Sequence, residues 1–269
     1  MKLVVGMIKI EDVGFETIDL LVSLCVPSDR KDDPLFVEGM NAKRRWAVKA
    51  LEQYGRSIAK LAYLNSKLAG LIQYQPKVEE KLVEIKCIFV PEKENLRKGV
   101  GRALLNALIE EAKKPKAFFG DDLPFALVTW AFEVPGRYPQ HEFYRKMGFK
   151  RVREDDPFLL YCPIKEGYVY SPKEEEGRFI PQEEDKGRAL IFYDPSCPFC
   201  MYFSEQIKKS IREVAPDIPI RMINMFEEFE EVKKRGRVPY CAVNGKPIMA
   251  FFMDKENFQK EVKEALKGS

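Results

Sequence analysis

The chain has 269 residues, 45% hydrophobic and 32% charged, which excludes collagen-like and wholly disordered classes and leaves room for about two domains. Lys and Arg total 45 against 42 Asp and Glu, so the net charge of +3 creates no demand for a nucleic-acid or membrane partner. No apolar run approaches the roughly 18–20 residues that span a bilayer. The short N-terminal apolar stretch is broken by Lys9, Glu11 and Asp12, with no small-residue cleavage site behind it. A cytoplasmic protein is expected, its six cysteines reduced unless chemically active.

In chain order, the spacing of Trp46, Ala47, Ala50, Leu51 and Tyr54 predicts a helix over 41–54, stopped by Gly55. Residues 57–65 alternate as a strand, Asn65–Lys67 turn, and 68–74 return to complete a hairpin. A strand over 82–90 follows, then a helix over 99–112 with Leu104, Leu105, Leu108, Ile109 and Ala112 on one face. A strand over 125–132, a short helix over 140–147 ended by Gly148, and a strand from Phe149 close the first stretch, 1–164.

Residues 165–187 are acidic and bear Pro and Gly; their seven acids outnumber their bases, which reads as a solvated linker rather than an acidic binding tail. Beyond it, 188–269 predicts a strand over 189–193 and a helix from about Pro198 to Val214. A strand over 220–225 and a charged helix over 227–235 come next. Short strands over 240–243 and 247–252, hinged at Asn244–Gly245, precede a last helix over 255–266. There is no internal repeat at solenoid periods. The fold class is mixed α/β, in two domains.

The first candidate site is VPEKENLRKGVGRALL, Val90–Leu105. A buried strand ends, a polar loop follows, and Gly99 and Gly101 flank Val100 at the start of a strong helix. Two readings fit: a tight strand-to-helix turn, or a loop whose N–H groups at Arg97–Arg102 gather a pyrophosphate at the positive end of the helix dipole. Arg97, Lys98 and Arg102 add positive charge. There is no GxxxxGK[ST] P-loop, and GVGRAL lacks the third glycine of a dinucleotide fingerprint.

The order helix, hairpin, Glu-bearing strand, glycine loop, helix, strand resembles the GNAT superfamily of acyl-CoA-dependent N-acetyltransferases over Met1–Ile164. The specific parts are VEIKCIFVPE (Val83–Glu92), RKGVGRALL (Arg97–Leu105) and FYRKMGF (Phe143–Phe149), the last similar to the family's Y-x-K-x-G-F close. Two departures stand out: Leu96 occupies a position usually held by Gln or Arg, and the loop is one residue longer. The resemblance implies that the backbone at Ile88, Phe89 and Val90 pairs with the pantetheine arm of acetyl-CoA, as an added edge strand does. It implies that Arg97, Lys98, Gly99, Val100, Gly101 and Arg102 hold the diphosphate, with an amine of a small molecule or peptide as acceptor.

Attack by an amine needs a base, because amines are protonated near neutral pH. Glu84 matches the family position sometimes used for that, or is an ordinary polar residue of a half-buried strand. Tyr144 matches the family tyrosine that gives a proton to the leaving thiolate, or packs beside Phe143 and Met147. His141, the single histidine, reads as a surface or capping residue or as a cleft residue. Trp46, Tyr54, Trp130, Phe132 and Tyr138 are candidate cleft aromatics, and aromatics so placed equally build a core.

The second candidate site is FYDPSCPFCMYFSEQIKK, which puts Cys197 at a strand–helix junction, Pro198 at the first helical position and Cys200 one turn on. A helix N-terminus stabilises a thiolate at Cys197, and Cys200 is placed to resolve a mixed disulfide. With RVPYCAVNGKPI (Arg237–Ile248), the stretch Arg188–Leu266 resembles the thioredoxin fold, which implies that Pro239 is the cis-proline facing the pair. Ser196 stands where thioredoxin has Trp. Cys241 reads as a small buried hydrophobe or as a third thiol. Zinc wants four ligands and this stretch offers three cysteines and no histidine, so no metal is expected. Cys25, Cys87 and Cys162 lack partner spacing and read as buried structural thiols.

The whole chain thus resembles the YoaP-like fusions of a GNAT domain with a thioredoxin-like domain. It predicts direct acetyl transfer from acetyl-CoA to an amine, with the CxxC stretch serving acceptor recognition, a thiol partner or redox control. The alternative is a thiol–disulfide oxidoreductase whose first domain binds CoA without catalysing transfer.

Overall fold

The computed structural model describes residues 7–131, 138–172 and 178–267. Phe132 and the linker residues Lys173, Glu174, Glu175 and Glu176 lie outside the described residues. The chain splits into two compact units, Met1–Cys25 with Ala47–Ser171 and Val26–Trp46 with Pro172–Ser269.

The chain opens with β1 (Ile8–Asp12) and α1 (Ile18–Ser23). Helix α2 (Pro34–Tyr54) is longer than its apolar spacing predicted. Pro34 takes the first helical position, where its missing N–H costs nothing, and the Asp33 carboxylate accepts the Leu35 N–H at 3.0 Å. Strands β2 (Ala59–Leu64) and β3 (Lys67–Lys77) form the expected hairpin. Asn65 and Ser66 both have positive φ, 50° and 66°, the pattern whose twist matches paired strands. β3 runs on through Pro76, which lies past the last β2 partner, so no ladder bond is lost.

Then come β4 (Leu82–Phe89), α3 (Val100–Ala112), β5 (Ala126–Trp130), α4 (Gln140–Lys146), β6 (Lys150–Arg151) and β7 (Leu159–Pro163). The sheet runs β1-β2-β3-β4-β5-β7-β6, antiparallel throughout except for the parallel pair β4–β5. Helix α3 crosses over between those two strands. Its buried stripe, Val100, Leu104, Leu105, Leu108 and Ala112, packs with Val83, Ile85, Leu127 and Tyr144 on one face of the sheet. The other face carries Leu82, Ala126, Val128, Tyr161 and Tyr170.

The second unit holds β8 (Ala189–Tyr193), α5 (Cys200–Arg212), β9 (Ile220–Asn224), α6 (Phe229–Lys233), β10 (Cys241–Val243), β11 (Lys246–Ile248) and α7 (Lys255–Lys267). Its sheet order is β11-β10-β8-β9, with β8 parallel to β9 and the other pairs antiparallel. The charged helix is shorter than expected because the Asn224 side chain accepts the N–H groups of Phe226 and Glu227, holding that stretch as a turn.

One residue of the acidic run read as solvated is fully buried. Asp185 accepts a two-pronged bond from Arg235, Nη2 at 2.6 Å and Nε at 3.0 Å, and both side chains are essentially sealed from solvent. A carboxylate so enclosed needs a fixed cation, and Arg235 supplies it. Among the described residues no helix is long and apolar enough to cross a membrane.

Candidate functional site

Strands β4 and β5 form a regular parallel pair, and β4 outlasts it: β5 ends at Trp130. The ladder runs from Leu82↔Ala126 to Ile85↔Thr129 and stops, although β4 continues to Phe89. On its other edge β4 stays paired with β3, through Ile88↔Ile72 and Phe89↔Leu71. The end of the ladder coincides with a β-bulge: Tyr74 faces Ile85 while Gln73 faces Cys87, so Lys86 is the extra residue. A bulge adds local twist and re-aims the strand beyond it. Thr129 Oγ1 donates to the Ile85 carbonyl at 3.1 Å, fastening the two strands where pairing ends. Among the described residues no strand pairs with Ile88 and Phe89 on that edge, and Val90 follows them past the end of β4.

The loop beyond is built by glycines. At Gly70 a Cβ would lie 2.9 Å from the Phe89 carbonyl oxygen and 3.1 Å from Val100, so its absence lets the end of β4 and the start of α3 settle on β3. Gly99 caps α3 with φ 88° and ψ 0°, a left-handed conformation suited to glycine, and no side chain caps the helix. Arg97 is also left-handed, at φ 62°. Left-handed residues in such alternation bend neighbouring amides into an anion-binding concavity. The first helical bond runs from Ala103 N–H to Gly99 O, 2.9 Å. Among the described residues no backbone acceptor meets the amides of residues 97–102. Arg97, Lys98 and Arg102 are exposed, and so is Leu96.

Gly101 has an ordinary helical backbone, and a Cβ there would meet Phe143 at 3.6 Å and Ile88 at 3.9 Å, normal van der Waals contact. The fold thus has room for an alanine at 101. Clearance for a group outside the fold is one reason to keep glycine in a helix that alanine would favour.

The two expected proton-transfer residues lie on opposite faces of the sheet. Glu84 pairs with Val128, on the face of Leu82 and Tyr161, and meets Lys86 at 3.6 Å. Tyr144 belongs to the core on the α3 side, 1% exposed, with its ring against Phe143 and Phe149. Its hydroxyl lies near Thr129, at the end of the β4–β5 ladder. Burial, with Cys87 nearby, pushes its ionisation well above the usual tyrosine range. His141 is half-buried with its ring edge-on to Phe158, 5.5 Å between centroids. Of the candidate aromatics, Trp46 is core and Tyr54 stacks edgewise on Phe118. Trp130 and Tyr138 are exposed, and the Tyr138 hydroxyl accepts from Lys146 at 2.6 Å.

In the second unit, Cys197 is exposed between buried Ser196 and buried Pro198, and Cys200 is buried. Helix α5 begins at Cys200, so Pro198 lies in the preceding turn rather than at the first helical position. Cys200 N–H closes that turn on the Cys197 carbonyl at 3.1 Å. Burial, and next the proximity of Cys197 and Asp194, pushes the Cys200 thiol up to about 12. Cys241 is 1% exposed and its thiol is raised by burial alone. Pro239 is half-buried, and its peptide is trans rather than cis, as are the other described bonds. Cys25, Cys87 and Cys162 are half-buried rather than buried. Among the described residues no group of three or more His, Cys, Asp or Glu could hold a metal.

Residues 56–151 match the acetyltransferase (GNAT) domain family. The match takes in β2 to β5, α3, α4, β6 and every residue of the glycine loop, and ends before the Cys-Pro-Phe-Cys stretch. Among solved structures, PaiA N-acetyltransferase from Thermoplasma acidophilum with coenzyme A is 15% identical, TM-score 0.42, over 58% of this chain and 99% of that one. A GNAT acetyltransferase from Brucella melitensis with acetyl-CoA is 13% identical, TM-score 0.41, over 63% and 94%. The ribosomal-protein-S18-alanine N-acetyltransferase from Escherichia coli is 19% identical, TM-score 0.38, over 61% and 100%. No curated protein matches the chain.

Within residues 56–151, the sequence alone did not reveal Thr129 or the Lys86 bulge, which together mark the end of the β4–β5 ladder. Thr129 lies in an apolar strand, where a single hydroxyl is the one hint that a carbonyl needs a partner.

Proposed function

We propose that residues 1–164 are an N-acetyltransferase that takes the acetyl group of acetyl-CoA to an amine of a small molecule or peptide. We also infer that 188–269 is a thioredoxin-like module whose Cys197–Cys200 pair recognises a thiol-bearing acceptor or answers to redox state. The length of β4 beyond its ladder with β5, and the amides of 97–102, which meet no backbone acceptor among the described residues, support the first reading. The thioester of acetyl-CoA supplies the acyl group. The amides and cations of Arg97, Lys98, Gly99, Val100, Gly101 and Arg102 hold the diphosphate. The edge at Ile88, Phe89 and Val90 receives the pantetheine arm in the manner of an added strand. Glu84 takes the amine proton, directly or through water, and Tyr144 returns one to the thiolate. Burial makes the Tyr144 proton costly to release, so a Tyr144→Phe enzyme that keeps its turnover assigns this tyrosine to packing.

The sheet order β11-β10-β8-β9 and the exposed Cys197 ahead of buried Cys200 support the thioredoxin-like reading. Calorimetric titration with acetyl-CoA tests the transferase. Wild-type protein binds, and Gly99→Asp, which strains a left-handed position and adds like charge, loses affinity at least ~100-fold with an unchanged far-UV spectrum. Equal binding by the two proteins rejects the site.

The separation of Glu84 from Tyr144 favours a second reading, a thiol–disulfide oxidoreductase with a CoA-binding but non-catalytic first domain. A screen of amines that yields no acetylation, with disulfide reduction lost in Cys197→Ser, selects that reading.

A further inference from the structure

The turn that carries the cysteine pair is held by residues from far earlier in the chain. Residues 26–46, which include the N-terminal part of α2, belong to the same compact unit as the Cys-Pro-Phe-Cys stretch. Gly39 meets the backbone of Pro198 so closely that a Cβ would lie 2.0 Å from the Pro198 carbonyl oxygen and 2.9 Å from its carbonyl carbon. The hydrogen that glycine carries there faces that oxygen, the arrangement of a weak C–H···O contact. One helical turn earlier, Phe36 is 3% exposed, edge-on to Phe199 at 5.0 Å and stacked on Tyr202 at 5.4 Å. Pro198 and Phe199 are the two residues between the cysteines, and Tyr202 lies in the first turn of α5. Neither Gly39 nor Phe36 carries a group that reacts with a thiol, so any effect on the pair acts through the turn.

We propose that Gly39 and Phe36 of α2 are positioning residues for the thiol chemistry of Cys197 and Cys200. The inference rests on the thiol reading given above. A thiolate at Cys197 is stabilised by the N–H groups at the start of α5, and a disulfide to Cys200 needs the two Cβ atoms about 3.8 Å apart. Both conditions depend on where the Pro198–Phe199 span sits. A methyl group at position 39 drives the helix and that span apart, and changes the relative stability of the dithiol and the disulfide. In glutathione the exchange is balanced. The Cys197 thiolate attacks one sulfur of oxidised glutathione and releases one glutathione thiol. Cys200 then displaces the second, and two protein thiols become one disulfide while one glutathione disulfide becomes two thiols.

The test is the equilibrium constant of the pair in glutathione buffers, read by alkylation and peptide mass, with a melting curve for each protein. Wild type forms the Cys197–Cys200 disulfide, and Gly39→Ala shifts its equilibrium about tenfold, which is ~30 mV for a two-electron couple. Phe36→Leu keeps an apolar filling and shifts it about threefold, and it carries the test if Gly39→Ala does not fold. Val37→Ala, at an exposed position of the same helix, controls for general loosening and leaves the constant unchanged. A folded Gly39→Ala within twofold of wild type overturns the proposal, as does an unmoved Phe36→Leu. A wild-type protein that never forms the disulfide removes the thiol reading itself, and this outcome is distinct because it needs no variant.

Discussion

The junction after β4 and the junction after β8 each feed a helix of 13 residues, and their turns are built in contrasting ways. After β4 the turn is charged and exposed, Gly99 is left-handed, and the amides of 97–102 meet no backbone acceptor among the described residues. After β8 the turn is short, Pro198 and Cys200 are buried, and the closing bond runs from Cys200 N–H to the Cys197 carbonyl. An open helix N-terminus suits a visiting anion whose oxygens take the amides. A closed one suits an anion that the chain supplies itself, as the thiolate proposed for Cys197 would be. The anchoring differs in the same sense. Helix α3 is tied down at its far end, where Glu111 meets Lys60, Lys116, Ser57 and Tyr74, while α5 is gripped at its start by Phe36.

The largest expected effect tests whether the second junction is closed. With the Cys200 thiol at about 12 and an ordinary cysteine near 8.5, its thiolate population at pH 8 is lower by about three orders of magnitude. In the reduced wild-type protein, Cys200 is expected to react with iodoacetamide roughly a thousandfold more slowly than a peptide cysteine in the same tube. Its rate rises as pH climbs toward 12. Site-resolved mass spectrometry reads both rates, and a Cys200 that labels like the peptide means that the turn is open.

The next effect concerns the anchor of α3. Burial pushes the Glu111 carboxyl up, but bonds from Lys116, Lys60 and Ser57 outweigh it and hold the group at about 2, against an ordinary 4.5. The folded value is depressed, so the stabilisation is complete above pH 4.5 and is lost as pH falls toward 2; it amounts to about 3 kcal/mol. Glu111→Gln is expected to lose stability of that order at pH 7 in urea unfolding, since among the described residues Lys60 is left with Asp12 as its carboxylate partner. The gap between variant and wild type closes between pH 4.5 and 2. A gap that is constant with pH removes the charge argument.

Much of this contrast was legible in the sequence, and the rest depended on contacts between distant segments. Gly99 before an apolar helical stripe marked the start of α3, and the Ala189–Tyr193 strand was read at its observed ends, because both signals are local. Asp33–Pro34 is an equally local start signal for α2, yet the weaker apolar spacing of its first turns hid it. The burial of Tyr144 and the pairing of Asp185 with Arg235 were not legible. Each depends on partners brought in by the fold: the α3-side core around a helix residue, and a guanidinium 50 residues away. Strand β1 escaped notice because its alternation covers only five residues and carries three charges.

The smallest effect is the most discriminating for the open junction. At Gly101 the protein itself tolerates a methyl group, since Phe143 and Ile88 stand 3.6 and 3.9 Å from where it would sit. Glycine in a helix costs about 0.5–1 kcal/mol relative to alanine, so Gly101→Ala is expected to raise stability by that amount in urea unfolding. If the residue is glycine to admit the diphosphate of acetyl-CoA, the same variant weakens acetyl-CoA binding severalfold, giving opposite signs for the two measurements. A tight turn with no ligand predicts the gain in stability with no loss of affinity. A loss of stability would mean that the methyl group meets protein atoms after all, and the clearance argument fails.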